Sequence, residues 1–146
     1  KIVEEMLEIG VVPVIAPLGT GREGNTYNIN ADYVAGEMAG ALRAERLILM
    51  TDTDGIYKDF DDKGSLIRRI SEEEGRNLLD EGVVAGGMIP KVETCLNALE
   101  KGVERVHIVN GRREHSVLME IFTEDGMGTM FVSGGDRVAD GYLQKA

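Results

Sequence analysis

The stretch from Val83 to Gly102, VVAGGMIPKVETCLNALEKG, sets two glycines, a proline and a lysine at the mouth of a helical pattern. Gly86 and Gly87 let a backbone approach a ligand with no Cβ in the way, and Pro90 suits a helix's first turn. Unpaired amides at a helix start attract anions, and Lys91 adds a full positive charge there. The chemistry this combination would do is phosphate binding, with a mobile cation that follows charge as it moves. The competing reading is an ordinary helix start with a solvent-facing lysine, because the spacing is not that of a Walker A loop.

Two further groups have residue types suited to a polar substrate. In NTYNINADYVAG, Asn25, Asn28 and Asn30 crowd a loop, and their amides offer both donors and acceptors to a ligand carrying carboxylate and amide groups. Asn30 reads as a helix cap. Asp32 follows in the first turn, where a carboxylate gains about 0.3–1 kcal/mol from the helix dipole; the alternative is an anchor that orients lysines. In LILMTDTDGIY, Thr51 and Asp52 end an apolar run and Asp54-Gly55 follows, either as a plain turn or as the lining of a nucleotide pocket. His107 alternates with apolar residues and reads as structural. His115 falls in a helix's first turn and is a weaker ligand candidate, and Cys95 lies between Val92 and Leu99 on an apolar helix face, a core position.

The elements that must position these residues alternate regularly. A helix to about Ile9 is closed by Gly10, VVPVIAP reads as a buried strand, and LGTGREGNTYN as a glycine-rich loop. The helix NADYVAGEMAGALRA and the buried strand RLILMTD follow. GIYKDFDDKGSLIRRI lacks a helical period and reads as a β-hairpin or irregular excursion turning at DDKG. Ser71 and Glu74 form a capping box for the next helix. The lysine-bearing helix runs from about Ile89 to Lys101, then come strand RVHIVN, helix EHSVLMEIFTED and strand GTMFVS. This order predicts an α/β fold with a mostly parallel sheet sandwiched between helices, and ligands outside the carboxyl ends of the strands. Of the loops leaving that edge, after Pro17, Met50 and Asn110, the first two carry the residues of interest. Residues 136–146 are expected to form a loose tail on a domain covering 1–135.

Composition narrows the partners. The 146 residues include 16 Lys and Arg against 26 Asp and Glu, a formal charge of −10 that repels nucleic acid and anionic lipid. No apolar run approaches a membrane span and no signal peptide is visible, and a single cysteine fits a reducing cytoplasm. The opening KIVEEMLEIG has no initiator Met and enters directly into a helical pattern, which points to a piece cut from a longer protein.

YNINADYVAGEMAGAL, LILMTDTDGIY, GVVAGGMIPKVETCLNAL and GMGTM, in that order, resemble the carboxyl-terminal half of the N-acetylglutamate kinases, members of the amino-acid kinase family. The resemblance implies phosphoryl transfer from ATP, with Mg²⁺ as its companion, to the side-chain carboxylate of N-acetyl-L-glutamate in arginine synthesis. It makes Lys91 a catalytic lysine and Asp32 the aspartate that organises the catalytic lysines. It gives Asn28 to the acetylglutamate. It gives Asp52, Thr53, Asp54, Gly55, Ile56, Tyr57 and the backbone of Val83, Val84 and Ala85, with Lys91, to the nucleotide. EIFTEDGMGTM resembles part of the arginine effector pocket of inhibited members, with Glu124 and Asp125 facing a guanidinium and Gly126 and Gly128 wrapping it. A glycine-rich turn into a strand is the alternative there.

Family members assemble as homo-oligomers, and their amino-terminal half supplies a second catalytic lysine, a glycine-rich phosphate loop and most of the acceptor site. Removing one preorganised donor costs about a hundred- to a thousandfold in rate, so this segment alone is expected to bind ATP weakly and turn over little. Two rivals stand beside this reading. One is a related kinase acting on aminoadipate held by a small acidic carrier protein, or on aspartate, glutamate, carbamate or UMP. The other is a non-catalytic nucleotide-binding module, which has no need to pair Asp32 with Lys91.

Overall fold

The structure, a computed structural model, describes residues 1–124 and 126–133. Its elements in chain order are α1 (Ile2–Glu8), β1 (Leu18–Thr20), β2 (Thr26–Asn28), α2 (Ala31–Leu42), β3 (Arg46–Thr51), β4 (Arg69–Ser71), α3 (Glu72–Asp80), α4 (Met88–Glu100), β5 (Arg105–Asn110), α5 (Ser116–Phe122) and β6 (Thr129–Val132). The main sheet has the order β3-β5-β6-β4. β3 pairs parallel with β5 from Arg46↔Arg105 to Thr51↔Asn110, β4 pairs parallel with β6, and β5 with β6 is antiparallel.

Period-2 alternation divides each central strand between two faces. Leu47, Leu49, Val106, Ile108, Ile70 and Phe131 point into one cluster with Val92, Cys95, Leu96 and Leu99 of α4. His107 points the other way, where its ring meets Glu120 of α5. Helices therefore cover both faces, α2, α3 and α4 on one and α5 on the other, as the α/β alternation predicts. The Ser71–Glu74 capping box forms as expected: Ser71 N–H donates to Glu74 Oε2 at 2.7 Å and Glu74 N–H to Ser71 Oγ at 3.3 Å.

α2 and α4 run parallel, because their facing pairs advance together: Asp32 with Lys91, Gly36 with Thr94, Gly40 with Lys101. Gly36 is required there. A Cβ on it would sit 2.8 Å from the Thr94 methyl carbon, so any larger residue drives the helices apart.

Several expectations are corrected. Residues 11–17 form no strand, and Val12 and Val14 are 84% and 96% exposed. An apolar run becomes a strand only where a neighbour supplies a hydrogen-bond ladder, and none of the described strands lies alongside it. The glycine-rich stretch after it is an antiparallel hairpin, with Gly19 opposite Tyr27, and Gly24 takes the positive φ of 84° that its turn demands. The excursion after β3 is irregular: Tyr57 and Leu66 make one antiparallel bridge around a 3₁₀ turn at Lys63–Ser65, capped by Asp62. Its last residues are β4, a sheet strand too short to show alternation. The expected tail, 136–146, lies outside the described residues, as does Asp125.

Candidate active site

Two helices on this face each enter a strand through a short turn: α2 into β3 and α4 into β5. A helix so connected runs antiparallel to its strand, so both helix starts lie at the carboxyl ends of β3 and β5. That topology brings Asn28, Asp32, the Thr51–Tyr57 loop, Val83–Lys91 and the turn after Asn110 to one edge. β6 runs against β5, so Gly128, just before it, reaches the same edge.

The charges meet there. Lys91 Nζ donates to Asp32 Oδ2 at 2.6 Å, with the side chains 17% and 21% exposed. The two residues are 59 positions apart in the chain. Asn30 caps α2 as expected, its Oδ1 accepting from the N–H groups of Asp32 and Tyr33 at 2.9 and 3.3 Å. α4 differs from expectation. Its N-cap, Gly87, supplies no side chain, but Met88 and Ile89 donate their N–H groups back to Ala85 and Gly86 at 3.2 and 3.3 Å, and Pro90 has none. Few bare amides are left, so the positive potential rests mainly on the Lys91 ammonium and the aligned dipoles of two parallel helices. Around Gly86, with φ of 56°, and Gly87 the space where a Cβ would lie is open.

The run from Asp52 to Tyr57 divides. Asp52 is exposed and makes one loose ion pair with Arg112 at 3.5 Å. Asp54 is engaged on both oxygens: Asn110 Nδ2 donates to Oδ1 at 2.7 Å, while Arg113 and the Tyr57 hydroxyl donate to Oδ2 at 2.7 and 3.1 Å. The Asn110 bond, with those of Tyr57 and the Arg113 charge, holds this carboxyl below its ordinary range, whereas burial and the Asp54 contact push the Tyr57 hydroxyl up. Gly55 admits no side chain because Thr129 Oγ1 would lie 2.5 Å from its Cβ, and Ile56, fully buried, donates its N–H to that same oxygen. Gly55 is thus required by protein packing. Tyr57 packs edge-on to Phe60, with the Lys63 ammonium 4.7 Å and 4.0 Å from the two ring centres.

Asn28 ends β2 in an exposed position, two residues before the α2 cap. Val83 and Val84 both donate their N–H groups to the Leu78 carbonyl, so of their backbone groups it is the carbonyls that are left to face a ligand. Glu124 is exposed. Gly128 is required by packing, since a Cβ would fall 2.0 Å from the Ile108 carbonyl oxygen. Its N–H and that of Met127 donate to Glu120 Oε2 at 2.8 and 2.6 Å. Burial pushes the Glu120 carboxyl up, but His107 and these two amides outweigh it and hold it below the usual range. His115 caps α5 in the left-handed region, φ 59°, with no side-chain cap bond. Cys95 is fully buried in the core as expected, and burial pushes its thiol up.

Sequence reasoning passed over Asn110, Arg113, Thr129 and Glu120. The first two lie in the strand-end loop that looked the least promising. An acid inside the apolar SVLMEIF pattern was the available signal for Glu120. Among the described residues no group of three or more His, Cys, Asp and Glu side chains is placed to hold a metal ion, and no helix is long and apolar enough to cross a membrane.

Fold and site together define an α/β domain whose strand-end edge carries a lysine–aspartate pair at the starts of two parallel helices. The profile of the amino acid kinase family matches residues 1–110, and the chain belongs to that family. It is 53% identical over 133 residues to the acetylglutamate kinase of Moorella thermoacetica, covering 91% of this chain and 45% of that enzyme. With the acetylglutamate kinase of Methanococcus maripaludis it shares 50% over 132 residues, 90% of this chain and 45% of that one. The chain therefore spans about half the length of these relatives. The N-acetylglutamate synthase of Neisseria gonorrhoeae, solved with coenzyme A and L-arginine, superposes with a TM-score of 0.81 at 32% identity, covering 90% of this chain and 30% of that one.

Proposed function

We propose that these residues are the nucleotide-binding half of an acetylglutamate kinase, transferring the γ-phosphoryl group of ATP to the side-chain carboxylate of N-acetyl-L-glutamate. The observation that carries this reading is the 2.6 Å contact of Lys91 with Asp32 at the starts of two parallel helices. The 50–53% identity to acetylglutamate kinases supports the choice of acceptor. In the reaction, a carboxylate oxygen forms a bond to the γ-phosphorus as the bond to the β,γ-bridging oxygen breaks, and ADP leaves. Such transfer asks the protein for position and charge, with no nucleophilic side chain. Lys91 is the cation that tracks negative charge on the moving phosphoryl group, and Asp32 holds it in place between turnovers. Asn28 is assigned to the acetylglutamate. Asp52, Thr53 and the backbone of Val83, Val84 and Ala85 are assigned to the nucleotide.

Mg²⁺ enters with the ATP phosphates as part of the substrate. Of the carboxylates at this edge, Asp32 is paired with Lys91 and Asp54 with Asn110 and Arg113. The lone segment is expected to be inactive, and the whole enzyme to be a cytoplasmic homo-oligomer. Glu124 and Gly128 are assigned to an arginine effector. The deciding assay is ADP release by the whole protein with each acceptor in turn, acyl phosphate being trapped with hydroxylamine. Turnover that needs N-acetyl-L-glutamate supports the reading; turnover on aminoadipate or carbamate alone, or none, refutes it. Arginine at millimolar concentration should give a calorimetric signal with the same protein, and its absence would remove the effector assignment.

A further inference from the structure

We propose that Asp54 is a positioning residue that binds the loops after β3 and β5 into one rigid unit, making Arg113 and Asn110 part of the nucleotide site. The inference rests on the phosphoryl-transfer reading above and changes the roles within the run from Asp52 to Tyr57: Asp52 and Thr53 face the nucleotide, and Asp54 faces the protein.

Three observations carry it. The Asp54 side chain is only 19% exposed and its two oxygens already accept from Asn110, Arg113 and Tyr57, which leaves at most about one of its four lone-pair sites for a ligand. Its neighbour Asp52 is 63% exposed and has two loose partners, Arg112 at 3.5 Å and the Thr51 hydroxyl, which donates at 3.4 Å, so the carboxylate more open to a ligand is that one. Finally, the donors are themselves fixed. Asn110 Oδ1 accepts from the Arg112 N–H at 2.9 Å, which turns its NH₂ group towards Asp54. Gly111 N–H donates to the Thr51 carbonyl at 2.8 Å, latching the two loops one step beyond the β3–β5 register. A carboxylate that accepts from an amide, a guanidinium and a phenol across two loops fixes their separation, because charge-assisted bonds of this kind are short and directional. Without it, the loop carrying Asp52 and Thr53 keeps its backbone latch but loses its side-chain anchor.

The test uses the whole protein and the variants Asp54→Asn, Arg113→Met, Arg113→Lys and the double Asp54→Asn/Arg113→Met, each with KM for ATP, KM for acceptor, kcat and melting temperature. Asp54→Asn should raise KM for ATP about tenfold or more, as expected for losing a hydrogen-bonded charge, while acceptor KM stays within about twofold. Arg113→Met should move KM for ATP the same way, Arg113→Lys should recover most of it, and the double variant should be no worse than the larger single, since both act through one contact. A folded Asp54→Asn or Arg113→Met with unchanged KM for ATP overturns the inference, as do additive effects in the double. If Asp54→Asn fails to fold, Arg113→Met at its half-exposed position decides alone. Wild-type protein without ATP-dependent turnover sinks the functional reading and this inference together, whereas wild-type turnover with unaltered variants sinks only this one.

Discussion

Replacing Lys91 with alanine separates catalysis from stability in a way that a purely structural ion pair would not. Two unit charges about 4 Å apart at an effective dielectric near 20 attract by about 4 kcal/mol, most of which is offset by desolvation and lost side-chain freedom. With side chains 17% and 21% exposed, the Lys91–Asp32 pair lies near solvent, and its net worth is about 1 kcal/mol. The Asp32 left behind still sits in the first turn of α2, where the helix dipole returns about 0.3–1 kcal/mol. The expected structural loss is therefore about 1 kcal/mol, a fall in melting temperature of about 2–4 °C or less in the longer whole protein. Removing a preorganised charge from the transition state costs far more, about a hundred- to a thousandfold in kcat, or about 3–4 kcal/mol. Measured side by side in the whole protein, kcat should collapse while melting temperature and nucleotide binding largely hold. A Lys91→Ala protein with kcat within threefold of wild type, or one inactive only because it has unfolded, would refute the reasoning.

Other parts of the molecule give equally direct tests. Gly128→Ala puts a Cβ against a backbone carbonyl that cannot turn aside, and should cost about 3 kcal/mol or more by urea unfolding. The Glu120 carboxyl is held below its ordinary value in the fold, so its contribution is present above about pH 4.3 and lost as pH falls through the lowered folded value. Glu120→Gln should flatten that acid limb of the stability curve, and an unchanged limb would remove the claim. Cys95, buried and with its thiol pushed up, should resist thiol reagents in the folded protein and react once urea unfolds it.

How much was legible depended on whether a signal was local. The capping box at Ser71, the Asn30 cap and the continuous apolar strands read correctly because their causes lie within a few residues of one another. Asp32 and Lys91 could be suspected from their helix-start positions, though their contact comes only from two helices packing in parallel. VVPVIAP misled because an apolar run states a need for burial without saying that a partner is present. Asn110 and Arg113 carry no local mark at all. Their role exists only because β3 and β5 are neighbours in register, which places the turn after one strand beside the turn after the other. That Gly55 and Gly128 are packing constraints is visible only with the opposing atoms of Thr129 and Ile108 in place.

The notch at Gly36 reaches further than its size suggests. With the Thr94 methyl seated in it, α4 cannot slide along α2 without first lifting out, and each residue of slip would carry Lys91 about 1.5 Å along the axis. A hydrogen atom where a side chain would otherwise be acts as a locating pin, so the alignment of the two opposite charges is set one turn deeper in the helices, at a point with no charge of its own.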